Sequence, residues 1–111
     1  MKDLDIFQEQ VKDWAYHNFP KDTFPDTVLG LVEEVGEVCR TIIKKNQGVR
    51  GTPEYWDEEA RKELGDVFIK LLHVMVLFDP SHGSAAVIVK DRWEVIRERD
   101  WIKYPQTGRP E

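Results

Sequence analysis

Five acidic residues at short spacings form the first pattern in this sequence that could do chemistry. They are Glu33, Glu34 and Glu37, followed after residues 38–62 by Glu63 and Asp66. Because an α-helix turns ~100° per residue, Glu34 and Glu37 share a helix face, and so do Glu63 and Asp66. Carboxylates held close together repel one another unless a cation lies between them. Oxygen-only ligands favour hard divalent ions such as Mg²⁺ or Mn²⁺.

Apolar residues around the acids predict that both clusters lie on amphipathic helices. Around the first cluster they fall in one arc, comprising Val28, Leu31, Val35, Val38, Cys39 and Ile42. Around the second they fall in another, comprising Leu64, Val67, Phe68, Leu71, Met75 and Phe78. In each helix the acids occupy the neighbouring arc. If the helices pack antiparallel through their apolar arcs, the carboxylates converge on one patch beside the core.

A solvated surface is the alternative interpretation of these acids. Charged residues make up 33% of the chain, and Glu-rich helix faces usually point to water. Two acid pairs on successive helices, each followed by a long apolar run, favour a metal site more strongly than a single pair does.

The elements that must position the acids read as four helices, with no convincing strand. They run from about Leu4 to His17, from Pro25 or Asp26 to about Asn46, from about Asp57 to Phe78, and from about Ala85 to Ile102. Gly48 is predicted to stop the second helix, Thr52 to cap a short lead-in turn before the third, and Ser81 or Ser84 to cap the fourth. The predicted fold is an all-α bundle of four to five helices, with an irregular tail over residues 105–111.

Length and charge limit the kinds of protein this chain can be. At 111 residues it is expected to be a single domain over residues 1–111, with a modest core that gains from oligomerisation. A formal net charge of −5 with no basic stripe argues against a nucleic-acid polymer as partner. The most apolar segment, residues 67–78, is too short to span a bilayer, so no membrane association is expected.

The single Cys39 cannot form an internal disulfide, and we expect it at the edge of the core. The N-terminal residues lack the apolar stretch of a signal peptide. Both observations favour a cytoplasmic location.

In order, spacing and flanking residues, the two acid clusters resemble the MazG family of all-α nucleotide pyrophosphohydrolases. The similarity is strongest over residues 29–72, through Gly-Leu-Val-Glu-Glu-Val-Gly-Glu-Val at 30–38 and Glu-Leu-Gly-Asp-Val-Phe-Ile at 63–69. It extends to Phe7-Gln8, Trp14 and residues 99–105, so that it covers roughly residues 4–105.

The resemblance implies a reaction, a metal site and an assembly. Members hydrolyse nucleoside triphosphates between the α- and β-phosphates, releasing the monophosphate and pyrophosphate, often in a house-cleaning role in the nucleotide pool. Matching positions imply Mg²⁺ ligands at Glu34, Glu37, Glu63 and Asp66. Glu33 either contacts these ligands or is the base that accepts a proton from the attacking water. Small members resemble interlocked helical dimers, often paired into tetramers, so a homotetramer or a dimer is expected.

Substrate-binding residues are predicted in two groups. Lys70 lies one turn after Asp66 and would meet the phosphates, although an ion pair with Asp66 is equally compatible with the spacing. Lys45, at the end of the second helix, either binds phosphate or offsets the helix dipole. Trp14 would stack on the base, with core packing as the alternative, and Asn18 would donate a hydrogen bond.

Two other classes of protein also use such helices. A di-iron carboxylate bundle is disfavoured because neither acid cluster is followed by the histidine of a Glu-x-x-His motif. The three histidines, His17, His73 and His82, show no metal-ligand spacing. A non-catalytic helical interaction module would leave the acids solvated and use the tryptophans as an interface.

Overall fold

The computed structural model describes residues 2–80 and 83–110, which fold into four helices joined by short loops. They are α1 (Lys2–Asn18), α2 (Phe24–Gln47), α3 (Pro53–Phe78) and α4 (Ala85–Ile96). Residues 2–80 and 83–110 contain no strand, so the predicted all-α class is confirmed. Ser81, one of the two predicted caps of α4, and His82 lie outside the described residues.

Local capping interactions set the helix ends near the acids. Thr23 forms a capping box with Asp26, which starts α2 slightly before the predicted position. Gly48 ends α2 with a left-handed φ of 68°, as predicted. Thr52 accepts a hydrogen bond from the Tyr55 amide at 3.1 Å. The expected lead-in turn is therefore the first turn of α3 itself, and the predicted start at Asp57 was wrong.

The fourth helix is shorter than predicted. Ser84 caps its start, accepting a hydrogen bond from the Val87 amide, but the helix ends at Ile96 and not at Ile102. Asp100 explains the difference, because its carboxylate accepts the amides of Ile102 and Lys103 and opens a separate turn. Residues 105–110 form turns and bends without a helix or strand.

Helices α2 and α3 form an antiparallel hairpin, which fixes the relative positions of the two acid clusters. The Phe24 and Phe78 rings meet at one end, with their centroids 5.6 Å apart. At the other end the Lys45 ammonium lies 2.8 Å from the Asp57 carboxylate. Between these ends, each turn forward along α2 is matched by one turn back along α3.

Some of the buried and half-buried residues along this hairpin alternate at spacings of four and three, which is the repeat of a coiled-coil seam. On α2 they are Thr27, Leu31, Glu34, Val38 and Thr41. On α3 they are Trp56, Ala60, Glu63, Val67, Lys70 and Val74. We call these positions the seam. Glu34 and Glu63 lie within the seam and not beside it. Leu31, Val38 and Val67 of the predicted apolar arcs also lie in the seam, so the predicted packing through these arcs is correct for only part of each arc.

Much of each predicted apolar arc faces outward in a single chain. Val35 and Ile42 are 45% and 54% exposed on α2, and Leu64 and Phe68 are 58% and 48% exposed on α3. Cys39, expected at the core edge, is exposed. The chain is correspondingly open, with a radius of gyration of 17.5 Å against about 13 Å for a compact domain of this size.

The small core lies where α1 and α4 meet α3. Val11, Leu72 and Ala85 form its buried cluster. Buried Gln8 ties the three helices together: its amide nitrogen donates to the carbonyls of Leu72 and Gly83, and its amide oxygen accepts from the Ala85 amide. This arrangement holds α1 beside the hairpin, where it can form one wall of a cavity. No helix in the described residues is long and apolar enough to cross a membrane.

Candidate active site

Three carboxylates from the two clusters come together at the middle of the seam. Glu34, Glu63 and Asp66 each offer an oxygen, and these atoms all lie within 4.8 Å of one another. Glu34 and Glu63 are half-buried, whereas Asp66 is exposed. The spacing of three between Glu63 and Asp66 puts both on the face of α3 that meets Glu34. The three side chains therefore form one acid cluster, built from both helices.

The electrostatics of this cluster favour a cation. Partial removal of Glu63 from water raises the pKa of its carboxyl, and the negative charges of Asp66, Glu37 and Glu34 raise it further. Glu37 is exposed and lies outside the group of three, but its charge acts on the same carboxyl. A set of oxygen ligands that repel one another fits a hard divalent ion such as Mg²⁺.

A cavity of about 530 Å³ opens beside the acids, within the size range of small-molecule sites. Its lining combines charged and aromatic side chains from three helices and a loop: Phe7, Gln10, Val11, Trp14, Phe19, Glu34, Asp66, Ile69 and Lys70. Two of the three clustered acids thus face the same space as a cation and several aromatic rings.

Lys70 provides the positive charge of the cavity. Its ammonium lies 5.9 Å from the centroid of the Phe19 ring, in cation–π range. No ion pair between Lys70 and Asp66 occurs among the described residues, so the alternative suggested by their spacing is not formed. The ammonium is thereby available to a ligand in the cavity.

Trp14 and Phe19 form an aromatic corner. Their ring centroids are 5.7 Å apart and their planes make an angle of 75°. Trp14 is 56% exposed, so it is not a core residue of the single chain. Asn18 donates from its side-chain amide to the Trp14 carbonyl at 2.9 Å, which closes the last turn of α1. Asn18 supports the corner and is not among the residues that line the cavity.

Two other predicted site residues lie away from the cavity lining. Lys45 is paired with Asp57 at the far end of the hairpin. Glu33 is exposed and belongs neither to the cluster of three acids nor to the lining. Their predicted roles remain predictions.

Sequence reasoning missed Gln10 and Phe19 in this cavity. Gln10 is recoverable from spacing, because it precedes Trp14 by one turn and follows Phe7 by three residues, so the three share a face of α1. Phe19 lies in the α1–α2 loop, and no periodicity predicts where a loop side chain will point.

Comparison with family models agrees with this geometry. The model described as the MazG nucleotide pyrophosphohydrolase domain matches residues 23–83, more than half of the chain. The match includes α2, α3 and all five acids of the two clusters. Comparisons with curated proteins and with solved structures gave no significant match. The matched segment contains the whole hairpin that carries the acid cluster, and the chain belongs to the MazG nucleotide pyrophosphohydrolase domain family.

Proposed function

We propose that this protein is a Mg²⁺-dependent enzyme that hydrolyses (deoxy)nucleoside triphosphates between the α- and β-phosphates. The products are the nucleoside monophosphate and pyrophosphate, and the role is house-cleaning of the nucleotide pool, which implies a cytoplasmic location. One observation carries the proposal: a single cavity is lined by two clustered acids, by a lysine with no ion pair to another described residue, and by an aromatic corner. These are the groups needed for a metal, a polyphosphate and a base.

The acids are proposed to hold the metal. Glu34, Glu63 and Asp66 would be ligands, with Glu37 as the fourth carboxylate and Mn²⁺ as a possible replacement for Mg²⁺. When bound, the ion would neutralise phosphate charge and favour attack by water. Removing negative charge at Glu63 or Asp66 should therefore weaken metal binding before it affects the fold.

The remaining side chains would orient the substrate and move the proton. Lys70 would bind the phosphates through its ammonium. The base would stack in the Trp14–Phe19 corner, where the Gln10 amide offers both a donor and an acceptor to its edge. Glu33 is proposed as the base that accepts a proton from the attacking water because it matches the acid pattern of the family, although it is exposed and lies outside the cluster of three acids.

Asn18 and Lys45 do not line the cavity, so their proposed contributions are indirect. Asn18 would help by holding the last turn of α1, and with it Trp14, in place. Lys45 could bind phosphate only after leaving Asp57, 2.8 Å away.

We also propose that the protein works as a homo-oligomer, a dimer or a tetramer made of two dimers. Large apolar side chains are exposed along the outside of the hairpin and on α4. They include Leu29, Val32, Val35, Ile42, Ile43, Leu64, Phe68, Val87, Val89 and Trp93. So much exposed apolar surface is unusual in a monomer, and a second copy would bury it. Residues 1–111 would then act as one domain in each subunit.

A nucleotide panel incubated with Mg²⁺ tests the reaction, with products followed by ³¹P NMR. The proposal predicts that pyrophosphate and monophosphate appear in equal amounts. Glu58→Gln, an exposed acid of α3 paired with Arg61, is the matched control for Glu63→Gln. Only Glu63→Gln should stop the reaction. Orthophosphate as the sole inorganic product would contradict α–β cleavage, and no turnover of any nucleotide would favour a non-catalytic interaction module.

A further inference from the structure

Gly30 and Lys70 face each other across the hairpin. Gly30 lies one turn before Glu34, and Lys70 lies one turn after Asp66, so the antiparallel register brings them together. A Cβ atom added at Gly30 would lie 3.3 Å from both Cε and Nζ of Lys70 and 3.5 Å from its Cδ. The end of the lysine side chain therefore lies against the backbone of α2, at the point where that helix carries no side chain.

The other glycines inside α2 and α3 have no such neighbour. A Cβ added at Gly36 or at Gly65 would meet nothing within 4 Å. Glycine is less favourable than alanine in a helix interior, because it loses more conformational freedom on folding. Of these three glycines, only Gly30 lies against a cation that lines the cavity. This contact explains why a glycine occupies position 30 in spite of its cost to the helix.

The same lysine end is limited by a second group. The Phe19 ring centroid lies 5.9 Å from Nζ. The backbone of α2 at Gly30 and the ring of Phe19 together restrict a long side chain that otherwise samples many rotamers. Lys70 lines the same cavity as Glu34 and Asp66.

We propose that Gly30 is a positioning residue: by lacking a side chain it leaves a slot through which Lys70 reaches the cavity to bind the polyphosphate group of the substrate. This inference rests on the proposed function and extends it, since it names the residue that determines where the phosphate-binding charge is held. A side chain at position 30 would displace the ammonium, because the three atoms nearest to an added Cβ all belong to Lys70.

The position of Lys70 can be measured without any turnover. In protein labelled with ¹³C-lysine, the Cε–Hε signal of Lys70 is identified by its loss in Lys70→Arg. Ring currents from Phe19 should shift this signal away from the other lysines. We expect Gly30→Val to move it towards the values of the other lysines and Gly30→Ala to move it less. Gly65→Val and Gly65→Ala, the matched helix controls, should leave it unchanged. Equal signals in the position-30 and position-65 variants would overturn the proposal.

Kinetics then test whether the slot serves the substrate. Gly30→Val should raise the KM for the triphosphate by about tenfold, the effect of weakening one charge-assisted hydrogen bond, while Gly65→Val leaves KM unchanged. In a Lys70→Ala background, Gly30→Val should cause no further rise, because Gly30 acts through Lys70. An equal rise with and without Lys70, or an unchanged KM despite a displaced Lys70 signal, would overturn the proposal.

Failure of the proposed function is distinguishable from failure of this inference. If the wild-type protein turns over no nucleotide, inorganic triphosphate is titrated instead while the Lys70 signal is observed. A saturable shift that requires higher triphosphate in Gly30→Val than in Gly65→Val supports the slot even then. The same concentration dependence in both variants contradicts it.

Discussion

The two faces of the α2–α3 hairpin both depart from the usual distribution of polar and apolar residues: acids and threonines lie among the apolar residues of the seam, and large apolar side chains lie on the outside. Along the seam, Glu34 and Glu63 are half-buried, and Thr27 and Thr41 are the most buried residues of α2. On the outside, Leu29 is 68% exposed and Val32 and Leu64 are nearly as open. Acids are rarely buried unless paired, and apolar patches of this extent mark binding surfaces. We propose that a cation offsets the charge of the acids along the seam and that a second subunit covers the apolar outside.

Neutralising a seam acid should give the largest effect. We expect Glu63→Gln to lower turnover by at least about a hundredfold, because a metal ligand is lost. In metal-free protein the same change should raise the melting temperature, since it relieves repulsion from Asp66, Glu37 and Glu34. Calorimetry without Mg²⁺ measures the gain in melting temperature. Calorimetry with Mg²⁺ measures how much of the metal-induced stabilisation is lost. If Mg²⁺ stabilised Glu63→Gln as much as the wild type, the acids of the seam would not be the metal site, and this difference between the two faces would be contradicted.

A charge placed on the outer face should separate the subunits while leaving the seam intact. We expect Leu29→Asp to reduce the molecular mass in solution to that of one chain, 13.0 kDa, because burying the new carboxylate is costly. Size-exclusion chromatography with light scattering measures this mass. Lys62→Asp, a substitution at an exposed position of α3, is the control and should leave the mass of the assembly unchanged. A wild-type protein that is itself 13.0 kDa in solution would remove the proposed role of the outer face.

The two lysines at different positions along the hairpin should differ in their effect on substrate binding. Lys70→Ala is expected to raise KM by about tenfold, because it removes the ammonium that lines the cavity. Lys45→Ala breaks an exposed ion pair with Asp57, which is worth at most about 1 kcal/mol, and should change KM less. Steady-state kinetics of the two variants under the same conditions provide the comparison. A larger KM effect from Lys45→Ala would move the phosphate site to the other end of the hairpin.

The smallest predicted effect concerns the acid sensitivity of the fold. Burial, and then the charge of Lys70, lowers the pKa of His73 below 6.5, while Asp22 acts in the opposite direction. Below pH 6.5 the unfolded chain therefore takes up a proton that the folded chain does not, so the free energy of unfolding decreases as the pH falls. The free energy of unfolding decreases through His73 by at most about 1.4 kcal/mol per pH unit. Well above pH 6.5 this contribution no longer changes with pH.

Urea denaturation at several pH values tests the role of His73. His73→Leu should be less sensitive to pH between neutral and mildly acidic conditions than the wild type. Identical pH dependence in both proteins would show that His73 is not the group responsible.

Helix ends near the acids were predictable because they depend on local chemistry. Gly48 and Thr52 act through their own backbone and side-chain geometry. Gly48 was identified as the end of α2, and Thr52 was identified as a cap, although of a short lead-in turn and not of α3 itself. The end of α4 was not, because Asp100 opens a new turn where helical spacing alone continues. Local signals specify where a helix begins or ends only when no competing turn follows closely.

The face on which the acids lie was also predictable, but their burial was not. Spacing puts Glu63 and Asp66 on one face, and the structure brings them to Glu34. Periodicity identifies an apolar arc but not the surface that covers it. The whole arc was therefore assigned to the contact between α2 and α3, although Val35 and Ile42 are exposed in the single chain. Phe19 could not be predicted in the cavity, since its position depends on how the whole α1–α2 loop packs.

Binding of Mn²⁺, followed by electron paramagnetic resonance, tests the metal site at the seam most directly. The free ion gives a strong signal that decreases when it is bound. We predict saturable binding by the wild type and by Glu58→Gln, and at least about tenfold weaker binding by Glu63→Gln. Equal affinity in Glu58→Gln and Glu63→Gln would contradict a metal site at the seam.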